Sequence, residues 1–305
     1  MNVKFQRYNL TKLIFLISKE LKSHLTDLLN EKKFFLKLFN FKKPVKVFLN
    51  NSRGINEFLS ETSELLKIPC FIVPHGTLAR GKNKCSKIYN DIIAEEVTSK
   101  KAINCVQSKI ALNYFKNNFN KKNYKITGNL IFASAKRKRK KYFLYAVTTR
   151  DFVNMHFYGV ETFYEFFKNL KDLDEISKEL NVNICVKLHP LVQDQMNNLQ
   201  DHFKKLTFSN KKIDILLKSS IATISFSSTV IEDSLGSSVP VVLFDKSKRY
   251  NHCEKFYKSL NKQSSVVYYA SNLFNLRKAI KSCLNGKKVD FLKFIYKKSM
   301  LPNFL

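Results

Sequence analysis

The stretch IATISFSSTVIEDSLGSSVPVVLFD, residues 221–245, reads as strand, helix and strand in immediate succession. An apolar, β-branched run ends in Ser-Ser-Thr, a helical segment follows at once, and Pro240 opens a second apolar run. Strands this continuously apolar are buried on both faces, which a parallel sheet covered by helices requires. The alternation extends outward. Upstream, YFLYAVTTR (142–150), NICVKLHP (183–190) and the start of the quoted stretch read as strands, with helices at 159–180 and 213–220 between them. Downstream, SNLFNLRKAIKSCLNG (271–286) reads as a closing helix.

The first half has the same texture. VKVFLNN (45–51), CFIVPHG (70–76), AINCVQS (102–108) and YKITGNL (124–130) alternate with helical patterns at 55–68 and 109–119. The predicted fold class is therefore α/β, with two facing Rossmann-like domains and a cleft between them. The run ASAKRKRKK (133–141) breaks the composition, because like charges in a block repel and stay solvated. It marks the expected linker between a first domain at 44–132 and a second at 142–305. Ahead of both, 10–41 has apolar residues at helical spacing with lysines between them. This basic amphipathic segment, 1–43, is expected to pack on a sheet or to lie against anionic lipid.

The 305 residues carry a formal net charge of +30, which would ordinarily suggest nucleic acid or an acidic membrane surface. Lysine far outnumbers arginine, however, and a nucleic-acid reader leans on arginine for bidentate contacts. A base-composition bias in the coding DNA gives the same signature, so no specific nucleic-acid partner is expected. The six cysteines, Cys70, Cys85, Cys105, Cys185, Cys253 and Cys283, show no metal-ligand spacing and read as thiols in a reducing cytoplasm. Without a secretory or 18-residue apolar segment, the expected location is cytoplasmic, at most peripheral on the inner membrane face.

Four strand ends carry the polar chemistry. Pro74-His75-Gly76-Thr77 ends one, Gly128 follows another, Lys187-Leu188-His189-Pro190 ends a third, and Ser227-Ser228-Thr229 ends the fourth, with Glu232 one turn on. A hydroxyl-rich strand end entering a helix offers N–H groups and a dipole to a phosphate, and Glu232 can accept from ribose hydroxyls. The same stretch also suits simple capping by Ser227 or Ser228. His189, held by Pro190, has the geometry to bond a phosphate oxygen or protonate a leaving group.

KLHP and SFSSTVIEDSLGSSVPVVLFD resemble the HP and Ser-Ser motifs of one group of GT-B glycosyltransferases. That group includes bacterial sialyltransferases, capsule Kdo transferases and CDP-glycerol glycerophosphotransferases; VPHG and TGN resemble first-domain motifs of its glycerophosphotransferase-like members. The resemblance spans roughly residues 45–285. It implies that His189, Ser227, Ser228 and Thr229 hold a donor phosphate, that His75 is the acceptor-side base, and that Glu232 contacts ribose or base. Lys187 joins the donor-binding set, Thr148, Thr149 and Arg150 fit a loop near the diphosphate, and Gly76 and Gly128 let backbone approach the ligand. No metal and no cofactor are implied. The acidic triplet of the sialyltransferases is missing, since AEEV (94–97) lacks its glycine.

The function so implied is transfer of a sugar or polyol phosphate from a CMP- or CDP-linked donor to a cell-surface glycan or lipid-linked acceptor. A sugar-nucleotide epimerase on the same scaffold, or a basic nucleic-acid or membrane-surface binding protein, are the alternatives.

Overall fold

A computed structural model describes residues 10–74, 76, 80–81, 98–118, 120, 123–132, 136, 140–147, 163–188, 196–226, 228–246, 250–251, 266–285 and 290–296. The chain divides into two units, Met1–Val73 with Glu95–Asn104, and Pro74–Ala94 with Cys105–Leu305.

In the first unit a single helix, α1 (Leu10–Phe41), ends three residues before Pro44, a residue that disfavours helical geometry just ahead of it. Strand β1 (Val47–Leu49), helix α2 (Ile55–Leu65) and strand β2 (Cys70–Ile72) follow. β1 pairs with β2 in parallel, and β2 pairs with the start of β4 (Ile103–Val106) in the same sense. Leu49, Cys70, Ile72 and Ala102 form the small core. Asn104 is fully buried and uses both ends of its amide on Ser99, whose N–H it accepts at 2.9 Å and whose carbonyl it donates to at 2.7 Å. The α1–α2 contact is sealed by Glu61, which accepts from Lys32 at 2.9 Å and from Lys101.

The second unit contains the two-residue strand β3 (Arg80–Gly81), helix α3 (Lys109–Asn118) and strand β5 (Tyr124–Ile126). It continues with β6 (Tyr142–Ala146), α4 (Phe163–Leu180), β7 (Ile184–Lys187), α5 (Met196–His202), β8 (Leu206–Ser209) and α6 (Ile213–Leu217). Then come β9 (Ser220–Ser225), α7 (Val230–Gly236), β10 (Val241–Phe244), β11 (Tyr250–Asn251), β12 (Val267–Ala270) and α8 (Leu273–Leu284). Six of these strands form one sheet in the order β12-β10-β9-β6-β7-β8, with every pairing parallel. A four-stranded sheet runs β1-β2-β4-β5, and β3 pairs antiparallel with β11.

Side chains alternate across the six-stranded sheet, so its two faces have separate cores. Phe143 and Tyr145 of β6 pack with Phe166, Leu170 and Leu173 of α4, whereas Leu144 packs with Leu216 and Leu217 of α6. Both faces are covered, as the continuously apolar strands require. The α/β alternation expected from the sequence is therefore the architecture found. Five elements were not anticipated: β3, α5, β8, β11 and β12. Burial pushes the Cys185 thiol up to about 11 and the Cys105 and Cys283 thiols up to about 12, so these are inert packing groups.

The hydrogen bonds from Lys101 and Lys32 hold the Glu61 carboxyl below its ordinary value of 4.5, against the opposing effect of burial. A depressed carboxylate stabilises the fold above its unfolded value and stops doing so as pH falls through its folded one. Replacing Glu61 with Gln is expected to cost about 1 kcal/mol at neutral pH. Urea melts of both proteins across the acidic range check this: the gap closes as pH drops below the unfolded carboxylate value.

Candidate functional site

The order of the six-stranded sheet places a chain reversal between β6 and β9. From β6 the chain adds β7 and β8 on one side, then returns to add β9, β10 and β12 on the other. The helices that follow, α4 after β6 and α7 after β9, cover opposite faces of the sheet, and it is at such a switch point that open α/β sheets bind ligands. Ser225, the last residue of β9, spans this point by donating to the Ala146 carbonyl at the end of β6, at 3.0 Å.

Beyond Ser225 the chain enters α7. Thr229 occupies the N-cap position but makes no side-chain capping bond; the Ser228 hydroxyl accepts from Val230 N at 3.3 Å, and its carbonyl accepts from Ile231 N at 3.1 Å. Of the two residues weighed as caps, Ser228 makes this hydroxyl contact, and Ser227 lies outside the described residues. The Thr229 side chain meets another strand-end residue instead. A Cβ built on Gly76 would stand 2.3 Å from Thr229 Cγ2 and 2.8 Å from its Cβ. No side chain fits there, so glycine is required for the backbone at 76 to reach the start of α7.

That corner is held by Gln107, a residue not singled out in the sequence. Its Nε2 donates to the Pro74 carbonyl at 2.6 Å, while its Oε1 accepts from Leu130 N at 3.1 Å and Ile131 N at 3.2 Å. One buried amide therefore joins the Pro74 corner to the loop that follows Gly128. Gly128 has φ +68°, and the Thr127 hydroxyl lies 3.1 Å from its carbonyl. Next along, Ser108 caps α3 by accepting from Ala111 N at 3.0 Å, and its hydroxyl donates to Glu232 Oε1. The available signal was the polar pair Gln107-Ser108 directly after the apolar strand, the pattern read as meaningful at the other strand ends.

Glu232, expected at a ribose or base, is fully buried in α7 against Ser108. Lys187 ends β7 half-buried, with Nζ donating to the Leu188 carbonyl at 3.0 Å; burial pulls its ammonium below the ordinary lysine value. The two lie on one sheet and its following helix, Lys187 at the same carboxyl edge as Ser225. His75, His189, Thr148, Thr149, Arg150 and Ser227 lie outside the described residues.

No protein-family model matches the chain, and no curated protein sequence matches it. Solved structures do. A UDP-GlcNAc 2-epimerase from Methanocaldococcus jannaschii, in complex with UDP-GlcNAc and UDP, aligns at TM-score 0.55 and 16% identity, covering 87% of this chain and 75% of its own. The UDP-GlcNAc 2-epimerase of Neisseria meningitidis, bound to UDP-GlcNAc, aligns at TM-score 0.54 and 13% identity over 86% and 73%. The fold is of the GT-B, Rossmann-like type. The wall teichoic acid polymerase TagF aligns at TM-score 0.43 and 17% identity over 70% and 59%, too distantly to support any argument. The resemblance read from the motifs and these two epimerase structures agree on the fold.

Replacing Gly76 with Ala forces Thr229 to move and is expected to cost about 1–3 kcal/mol, the usual penalty of overpacking. Combining it with Thr229→Gly, which removes both offending atoms, should recover part of that loss. Chemical denaturation of the two single variants and the double variant measures the coupling.

Proposed function

We propose that this chain binds a nucleotide-activated sugar or polyol phosphate at the switch point of the six-stranded sheet and transfers the activated group to a glycan hydroxyl. The observation that carries this reading is the approach of Gly76 to Thr229 at the start of α7. It brings the backbone at Gly76, next to His75 in the sequence, to the strand end best equipped to hold a phosphate. The donor phosphate rests on the hydroxyls of Ser227, Ser228 and Thr229, with the Lys187 charge on the same sheet edge. His189 stabilises the departing nucleotide phosphate, and Thr148 and Arg150 serve near the diphosphate.

His75 takes the proton of the acceptor hydroxyl as its oxygen bonds to the transferred group; the nucleotide leaves with the electrons of the broken bond. Activation resides in the donor, so no cofactor is called for. Glu232 acts through Ser108, holding α7 to the start of α3. Epimerisation of a UDP-sugar is the second reading, favoured by the fold shared with two UDP-GlcNAc 2-epimerases.

Thermal-shift measurements with CMP, CDP, UDP and UDP-GlcNAc test both readings. A bound nucleotide at a hundredfold excess over its Kd stabilises by about 2.7 kcal/mol, a shift of several degrees. Ser228→Ala should weaken that binding about tenfold, the lower range for a hydrogen bond to a charged group. Appearance of a 2-epimer from UDP-GlcNAc alone selects the epimerase; release of nucleotide only with acceptor selects the transferase. No shift with any nucleotide, together with steeply salt-dependent RNA binding, rejects both.

A further inference from the structure

We infer that the first half of α1 is a docking surface for an anionic lipid bilayer. The inference is independent of the reaction proposed above.

At 1.5 Å per residue, α1 is about 48 Å long, whereas α2, on which it packs, is about 16 Å. Among the described residues only the later part of α1 has a partner. Phe39 is buried, Leu28 and Phe35 are half-buried, and Lys32 pairs with Glu61. Every residue from Phe15 to Asp27 is exposed. Helical spacing puts Ile17, Leu21 and Leu25 on the same face as Leu28, Phe35 and Phe39. The apolar stripe that seats α1 on α2 therefore continues past α2, where Ile17 and Leu21 are each 57% exposed and Leu25 51%.

Two observations select lipid as the occupant. Phe15, Leu16 and Ile17 are consecutive, each turned about 100° from the last, and all three are exposed. Leu16 and Phe15 thus lie outside the stripe, Phe15 on the side of the lysines, so the apolar surface at this end exceeds the single stripe that one protein face covers. The second observation is charge. In the exposed half Lys19 and Lys22 lie on the side opposite the stripe, with Glu20 and Asp27 on one flank, and Lys33 and Lys37 continue the lysine side towards the end of the helix. Apolar residues beneath and lysines above describe a helix held at an anionic interface. Among the described residues no helix is long and apolar enough to cross a membrane, so α1 docks on the surface.

Flotation of the full chain with phosphatidylcholine vesicles, with and without phosphatidylglycerol, tests this. Binding is expected only with phosphatidylglycerol and should fall with salt. Ile17→Asn with Leu21→Asn, both at exposed positions, should leave circular dichroism and melting unchanged and reduce binding at least about tenfold. Lys19→Ser with Lys22→Ser should reduce it by roughly fivefold per lysine. Equal flotation of wild type and the apolar variant overturns the inference, as does wild type that floats with neither vesicle. A dimer that the apolar variant dissolves, without vesicle binding, assigns the stripe to a second copy and overturns it too.

Discussion

The amide of Gln107 is the constraint on which the candidate site depends. It is buried, so each of its polar atoms must find a partner inside the protein. Nε2 finds the Pro74 carbonyl and Oε1 finds two backbone N–H groups of the loop after Gly128. Three segments distant in sequence thereby share one small group. Losing the amide strands the buried Pro74 carbonyl, which costs more than the bond itself contributes, and frees two part-buried N–H groups of the loop. Ser108, its neighbour, does the same for α7 by bonding Glu232 while capping α3. Two adjacent polar residues thus hold in place the Pro74 corner, the Gly128 loop and the helix that follows Ser225.

These contacts gain meaning from the sheet order. A parallel sheet that grew in one direction only would give its strand ends no crevice, since successive connections would lie side by side. The return of the chain to β6 separates them, and the residues at that gap are Ser225, Ser228 and Thr229. Gly76 closes on Thr229 there because the chain after it is also tied down: β3 pairs with β11, Tyr250 opposite Gly81 and Asn251 opposite Arg80. The corner is held at Pro74 by a side chain and at Arg80–Gly81 by backbone.

How much of this was legible depended on the range of the interaction that sets it. The strands were legible because burial on both faces leaves an unbroken apolar run, as in residues 241–244, and the long helices because period is clear over several turns. Short elements gave no such signal: α5 has seven residues, and β8 alternates only across Leu206 and Phe208 between lysine-rich flanks. The site was legible as a set of polar strand ends, of which Ser228 and Gly76 are brought to α7. Glu232 was placed by its distance from Ser228 along a helix, yet its partner is Ser108, 124 residues away. Gln107 escaped for the same reason, since nothing local distinguishes a buried clamp from an exposed strand end.

Glycine usage bears on the same point. The chain has seven glycines in 305 residues, and among the described residues three helices close through a left-handed residue that is not glycine. Lys67, Asn181 and Ser238 all take positive φ, of 54°, 48° and 57°, at positions where glycine is the usual choice. In each case the next residue, Ile68, Val182 or Val239, donates back five residues to close the helix end and bury an apolar side chain. The strain of a left-handed residue is thus offset by satisfied carbonyls and packing. At Gly54 and Gly76 a side chain meets an obstacle that such closure does not remove. Gly54 adopts φ +50° with ψ −123°, outside the left-handed helical basin that Lys, Asn and Ser tolerate. At Gly76 the obstacle is not backbone conformation but contact with Thr229. A chain that accepts strain to do without glycine elsewhere places one where only the absence of a Cβ lets two segments meet.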